Sequence, residues 1–304
     1  LALILEQLLN GLQLGVMLFL LAAGLTLIFG IMGVINLAHG SLYMIGAYSG
    51  ALIAAKTGSF VAAMLGGLVA AGLAGMVLEF LVLRRLYARD HLDQVLATFA
   101  IILTVNQAAV LLFGRQPLFV SIPPLLNGSI DLGLGFVYPV YRLSIIVVGL
   151  GVALALSLFI TRTRTGMLVR AGATHREMVR ALGVDIRRLY TVVFGLGALL
   201  AGLAGLMAGP LLAVQVGMGE QILILTFVVV VIGGLGSVRG AFFGALIVGM
   251  VDTVLRAFMP GLLKSVMAAS EADALGAGLA SMGVYLLMAV VLLIRPKGLF
   301  PAHA

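Results

Sequence analysis

The chain reads as an all-α, polytopic membrane protein of about eight to ten transmembrane or half-membrane helices. Composition is the first reason: 62% of the 304 residues are hydrophobic, only 10% are charged and the mean hydropathy is +1.24, whereas soluble domains run near 45–50% apolar and about 25% charged. Distribution is the second. Uncharged blocks cover Gln7 to Ala55, Thr57 to Leu78, Gln94 to Gly114, Leu143 to Thr161, Leu189 to Gly219 and Ala274 to Ile294. Each approaches or exceeds the roughly 20 residues a helix needs to cross a bilayer. Third, these blocks are apolar on every face, whereas the strands of a membrane barrel alternate.

Breaking the blocks at glycine, proline and charge predicts helices over 11–32, 37–55, 60–83, 94–113, 143–161, 189–212, 221–233, 241–257 and 277–294. With the N-terminus outside, one face collects Arg84, Arg85, Arg89, Arg162, Arg164, Arg170, Arg176, Arg180, Arg187, Arg188, Arg239, Arg295 and Lys297. The other holds only Lys56, Arg115, Arg142, Arg256 and Lys264. Basic residues favour cytoplasmic loops, so the first face is predicted to be cytoplasmic. The same clustering explains the net charge of +7 through the membrane rather than through nucleic acid. The N-terminus carries neither a basic region nor a cleavage site of the kind a signal peptide has.

Two glycine-rich breaks interrupt the pattern. Gly33 to Gly40 divides the first block, and Gly233, Gly234, Gly236 and Gly240 follow a segment too short for a full span. Leu25–Gly30 and Leu225–Val230 each lead into such a break and then into a Gly/Ala-rich helix. This is a weak internal repeat of the kind that brackets transporter sites. Gly195, Ala198, Gly202, Gly205 and Gly209 line one side of a single helix, a pattern suited to close packing.

Catalytic signatures are missing. The four histidines lack metal-ligand spacing, there is no cysteine and no phosphate-cradling loop occurs. His39-Gly40-Ser41 has no orienting carboxylate nearby. Glu79 beside Arg84 and Arg85, and Asp252 four residues before Arg256, read as interfacial pairs rather than an ion relay. No catalytic residue, metal site or bound cofactor is therefore expected, and uphill transport would need energy from a partner.

Within the 162–188 loop, Thr174-His175-Arg176-Glu177 has the form of a capping box and Gly183 is placed to end the helix it starts. The expected product is an autonomous helix of about eight residues with Ala171, His175, Met178 and Leu182 on one side. It suits a docking partner, or a surface of anionic lipid.

Gly33-Val34-Ile35-Asn36-Leu37-Ala38-His39-Gly40 with Tyr43-Met44-Ile45-Gly46-Ala47-Tyr48, then Gly183-Val184-Asp185, Gly233-Gly234-Leu235-Gly236-Ser237 with Gly240, and Pro296-Lys297-Gly298-Leu299-Phe300 resemble the LivH-type permeases of branched-chain amino-acid ABC importers. The resemblance runs from about residue 8 to residue 300. It implies one permease domain over residues 1–304 in the bacterial inner membrane. The implied partners are a LivM-like second permease, two cytoplasmic ABC ATPase subunits that bind ATP and Mg, and a periplasmic solute-binding protein. It also implies that the loop helix (Thr174, His175, Arg176, Glu177, Met178, Leu182 and Gly183) is the coupling helix seated on an ATPase. Met178 and Val179 stand where the Glu-Ala-Ala loop of many such permeases has alanines.

The expected function is half of a translocation path for branched-chain amino acids or related small polar solutes. Asn36, His39 and Tyr43 near the first break and Thr226 and Ser237 near the second would line it, because polar groups within a span are costly unless they are paired or face a cavity. Hydrogen bonding to backbone freed at the breaks is the competing explanation for each. The alternative function is a stand-alone channel or secondary carrier.

Overall fold

A computed structural model describes residues 2–87, 89–131, 133, 136–265 and 267–300. Its helices are α1 (Ala2–Met32), α2 (His39–Thr57), α3 (Phe60–Leu78), α4 (Arg84–Leu86), α5 (His91–Phe113), α6 (Val140–Arg162), α7 (Arg164–Ala181), α8 (Ile186–Ala208), α9 (Met218–Gly233), α10 (Val238–Leu263) and α11 (Ala269–Ile294). A π turn, Glu79–Leu83, joins α3 to α4. Seven helical segments are long and apolar enough to cross a membrane: Leu3–Met32, Phe60–Leu86, His91–Phe113, Val140–Arg162, Ile186–Ala208, Val238–Leu263 and Ala269–Ile294. Of the other three, α2 and α9 border the predicted breaks and α7 lies in the arginine-rich loop.

Each of the nine apolar helices predicted is present, with its ends displaced for physical reasons. Helix α1 starts at Ala2 and α11 at Ala269, both earlier than expected, because Glu6 and the Ser270–Asp273 turn interrupt apolarity without interrupting helix. Helix α8 stops at Ala208, ahead of Pro210, which has no N–H to continue the ladder.

The chain divides into two compact units. One comprises residues 20–122 and 151–225. Here α2, α3 and α8 pack at backbone range through the small-residue stripe: a Cβ at Gly46 would lie 2.6 Å from the Gly202 carbonyl oxygen, and one at Gly205 would collide with the Tyr43 carbonyl. Such approaches are how helices associate in lipid. An antiparallel bridge between Leu118 and Val214 ties two of this unit's connections.

The other unit comprises residues 1–19, 123–150 and 226–304. Gly15 of α1 presses on Ala245 and Leu246 of α10. A hairpin of β1 (Ser129–Asp131) and β2 (Val137–Pro139) is anchored to α1 by Asn10, whose Oδ1 accepts from the Tyr138 hydroxyl at 3.2 Å and from Arg142 Nη1 at 2.6 Å.

Candidate functional site

At the first break the chain turns back on the helix before it. Gly33, with φ +67, closes α1 by donating its N–H to Phe29 O at 2.8 Å. Residues 33–38 then leave the helix, and His39, the first residue of α2, donates from Nε2 to Leu21 O at 3.2 Å. Leu21 lies eleven residues before the end of α1, about 16 Å at 1.5 Å per residue. The chain therefore turns back along α1, and α2 starts partway up it. Asn36 sits in this returning turn rather than on a helix, so it and His39 are not the helical neighbours their spacing suggests. They meet through the backbone: Asn36 Oδ1 accepts the Ala38 N–H at 3.1 Å and Asn36 O the His39 N–H at 3.4 Å.

Asn36, His39 and Tyr43 are all buried. Gly24 leaves room for the imidazole, since a Cβ there would stand 2.9 Å from Nε2. Because Nε2 carries the proton given to Leu21, the neutral ring presents a lone pair at Nδ1. Neither His39 Nδ1 nor Asn36 Nδ2 has a partner among the described residues. Backbone bonding thus occupies the Asn36 carbonyl oxygen and one ring nitrogen of His39, and the Asn36 amide N–H donors and the His39 Nδ1 acceptor stay open.

A second helix start meets the first. After α8 the chain passes the Val214 bridge and Gly217 (φ +88), and α9 begins at Met218. Gly219 and Gly40 press together so closely that a Cβ on either would collide with the other's carbonyl. The beginnings of α2 and α9 thus abut within one unit. Next along α9, Glu220 Oε1 accepts from Asn106 Nδ2 of α5 at 2.5 Å. Neither residue stood out in the sequence, where they are separated by 114 positions.

The second glycine break lies in the other unit. Gly233 and Gly240 are mutually pressed, Gly234 and Gly236 have φ +109 and +80, and Ser237 Oγ accepts the Gly240 N–H at 3.1 Å as the N-cap of α10. The Ser237 hydroxyl therefore serves the backbone. Leu299 and Phe300 donate their N–H groups to Ile232 O and Gly233 O, both at 2.9 Å, so the closing Pro-Lys-Gly-Leu-Phe segment satisfies the last carbonyls of α9. Thr226 is buried on α9.

The loop helix differs from expectation at its start and agrees at its end. Thr163 caps α7 by accepting the Gly166 N–H at 3.0 Å, and helix runs to Thr174, whose hydroxyl donates to Arg170 O at 3.1 Å. Thr174 thus sits in the last regular turn of a helix already capped at Thr163 rather than at an N-cap, so the capping box is not formed. His175, with φ −142 and ψ 70, breaks the helix instead, so Ala171 is out of register with the residues beyond it. The turn that follows ends in a Schellman motif: Gly183 has φ +84, its N–H reaches Arg180 O at 3.0 Å, and Val184 N–H reaches Val179 O at 3.4 Å. Val179 is buried, while Met178 and Leu182 are 62% and 78% exposed and Glu177 is exposed. The Arg176 side chain lies outside the described residues.

At the arginine-rich end of α3, Glu79 is wholly buried and its carboxylate accepts from four donors. Arg84 supplies Nε at 3.3 Å and Nη2 at 3.1 Å, Tyr87 its hydroxyl at 2.8 Å and Thr191 of α8 its hydroxyl at 2.7 Å. Burial, then the bond to Glu79, push the Tyr87 phenol well above its ordinary pKa, which keeps it a donor. Tyr87 packs edge-on against Tyr190, and the Tyr190 hydroxyl donates to Ile31 O at 3.3 Å. The predicted pairing with Arg84 is present, whereas Arg85 turns away to Leu81 O.

Seven helical segments long and apolar enough to cross a membrane, among the described residues, mark a multi-pass membrane protein. The chain belongs to the family described as branched-chain amino acid transport system / permease component, which it matches over residues 7–294. It is 30% identical over 309 residues to the high-affinity branched-chain amino acid transport system permease protein BraD of Pseudomonas aeruginosa, covering 97% of this chain and 95% of the relative. It is 29% identical over 315 residues to LivH of Escherichia coli K12, covering 97% and 94%. A probable LivH of Methanocaldococcus jannaschii is 26% identical over 298 residues, covering 93% and 88%. No solved structure matches the chain.

Proposed function

We propose that this chain is a permease subunit of an ATP-driven importer in the bacterial inner membrane and forms half of the path for branched-chain amino acids or related small polar solutes. A LivM-like permease supplies the other half, two cytoplasmic ATPases bind ATP and Mg, and a periplasmic binding protein delivers the solute. The observation that carries this reading is the loop helix. Met178 and Leu182 project from a Schellman-ended turn in the loop richest in arginine, a small apolar knob of the kind a partner's groove buries. The path is read at the abutting starts of α2 and α9, where Asn36 and His39 keep open hydrogen-bonding positions; Tyr43 and Thr226 remain its further candidates.

Copurification tests the reading. Wild-type chain coexpressed with the other subunits should retain both ATPases, and Met178→Glu with Leu182→Glu should release them while the permease pair stays together. Full retention by the double variant would refute the docking role of this helix.

A further inference from the structure

We propose that Glu220 and Asn106 form the receptor for the ammonium group of the transported solute. Glu220 stands in the first turn of α9, where the helix dipole favours an anion. Asn106 holds one carboxylate oxygen through its amide N–H. The other oxygen, Oε2, and the Asn106 carbonyl Oδ1 are shielded from water and have no partner among the described residues, and none of the ion pairs among those residues includes Glu220. Two acceptors, one of them anionic, are thus joined side by side with their bonding unmade.

The chemistry that completes them is narrow. A primary ammonium offers three donors, positive charge and no lone pair, so it can bond both oxygens at once. A carboxylate would be repelled, and a neutral hydroxyl would leave the charge unmatched. A hard metal cation needs about six oxygen ligands or more, and this pair offers two. Gly217 presents only backbone beside Oε2, since a Cβ there would stand 3.5 Å from it. Both residues remain partly exposed, so the pair is not sealed within the core. Glu220 also follows directly on the Gly219–Gly40 junction, at the helix starts assigned to the path. The inference rests on the proposed amino-acid substrate and goes beyond it by naming which part of the solute is held, and where.

Thermal unfolding of the purified permease pair with its ATPases tests the site directly. L-leucine and L-leucinamide, which share the ammonium group, should raise the wild-type Tm, and isocaproate, which lacks it, should not. Glu220→Gln should abolish both shifts without changing the ligand-free Tm, and Glu220→Asp should keep a reduced shift. In proteoliposomes Glu220→Gln should lower the maximal ATP-dependent rate of leucine uptake about tenfold or more, the loss expected for a charge-assisted contact, with half-saturation unchanged because capture belongs to the binding protein. Should that variant weaken assembly, Asn106→Leu replaces it, with a diminished shift expected. Shifts that survive Glu220→Gln, an equal shift with isocaproate, or no shift in a wild-type complex that transports leucine would each overturn the site. A wild-type assembly that takes up no leucine sinks the substrate reading instead, and the leucinamide shift still judges the ammonium site.

Discussion

Glu79 and Arg84 form a two-point ion pair although they are five residues apart. On an α-helix that spacing puts side chains on different faces. The π turn Glu79–Leu83 makes the difference, for the Arg84 N–H bonds the Glu79 carbonyl and the guanidinium comes round above the carboxylate. Thr191 then fastens the pair to α8, the helix that leaves the arginine-rich loop.

Thr191→Val removes one donor from a wholly buried carboxylate and should destabilise the protein by about 1–3 kcal/mol. Arg84→Lys keeps the charge but loses the fork that reaches both oxygens, so it should lower the Tm as well. Thermal unfolding of the purified subunit complex reads both. A Tm unchanged in both variants would show that the network does not hold α8 in place.

At the loop helix, Gly183→Val forces a β-branched residue into the left-handed region, at a cost of roughly 1–2 kcal/mol. ATPase retention and uptake should both fall. Thr174→Ala should be nearly silent in the same assays, because this hydroxyl bonds back to Arg170 instead of capping Glu177. A strong Thr174→Ala defect would mean that the capping box forms when the ATPase docks.

Gly40→Ala drives a methyl group into the Gly219 carbonyl, whereas Gly151→Ala meets open space on α6. The first should cost about 1–3 kcal/mol through overpacking and reduce uptake, and the second should do neither. Equal behaviour of the two in unfolding and uptake assays would contradict the abutting helix starts.

His39→Leu and Asn36→Leu probe the open positions at the first break. Asn36→Leu also strips the Ala38 N–H of its acceptor, so it should lose about 1–3 kcal/mol in addition to uptake. His39→Leu should keep assembly and lose transport. Normal uptake in both would leave packing as their role.

Much of the fold was legible because helix and lipid contact are local matters. The nine apolar helices follow from apolar blocks and their punctuation, and the positive φ of Gly183 follows from where a helix must stop. The misses are non-local or competitive. Thr174 has a capping-box neighbour in Glu177, yet Thr163 caps the longer helix, so Thr174 falls in that helix's last regular turn, where its hydroxyl donates back to Arg170 O. Ser237 looked like a polar group within a span and is an N-cap. The return of residues 33–38 along α1 brings His39 to the Leu21 carbonyl, a contact that no local pattern encodes. The meeting of Asn106 with Glu220 likewise joins residues 114 positions apart.

Energy supply by partner subunits is the centre of the account, and leucine uptake into proteoliposomes measures it most directly. The chain reconstituted with its partner permease, the two ATPases and the binding protein should take up leucine with ATP, and should stop when the ATPases are omitted or a non-hydrolysable nucleotide replaces ATP. Sustained leucine uptake by this chain alone, without ATPases, would contradict it.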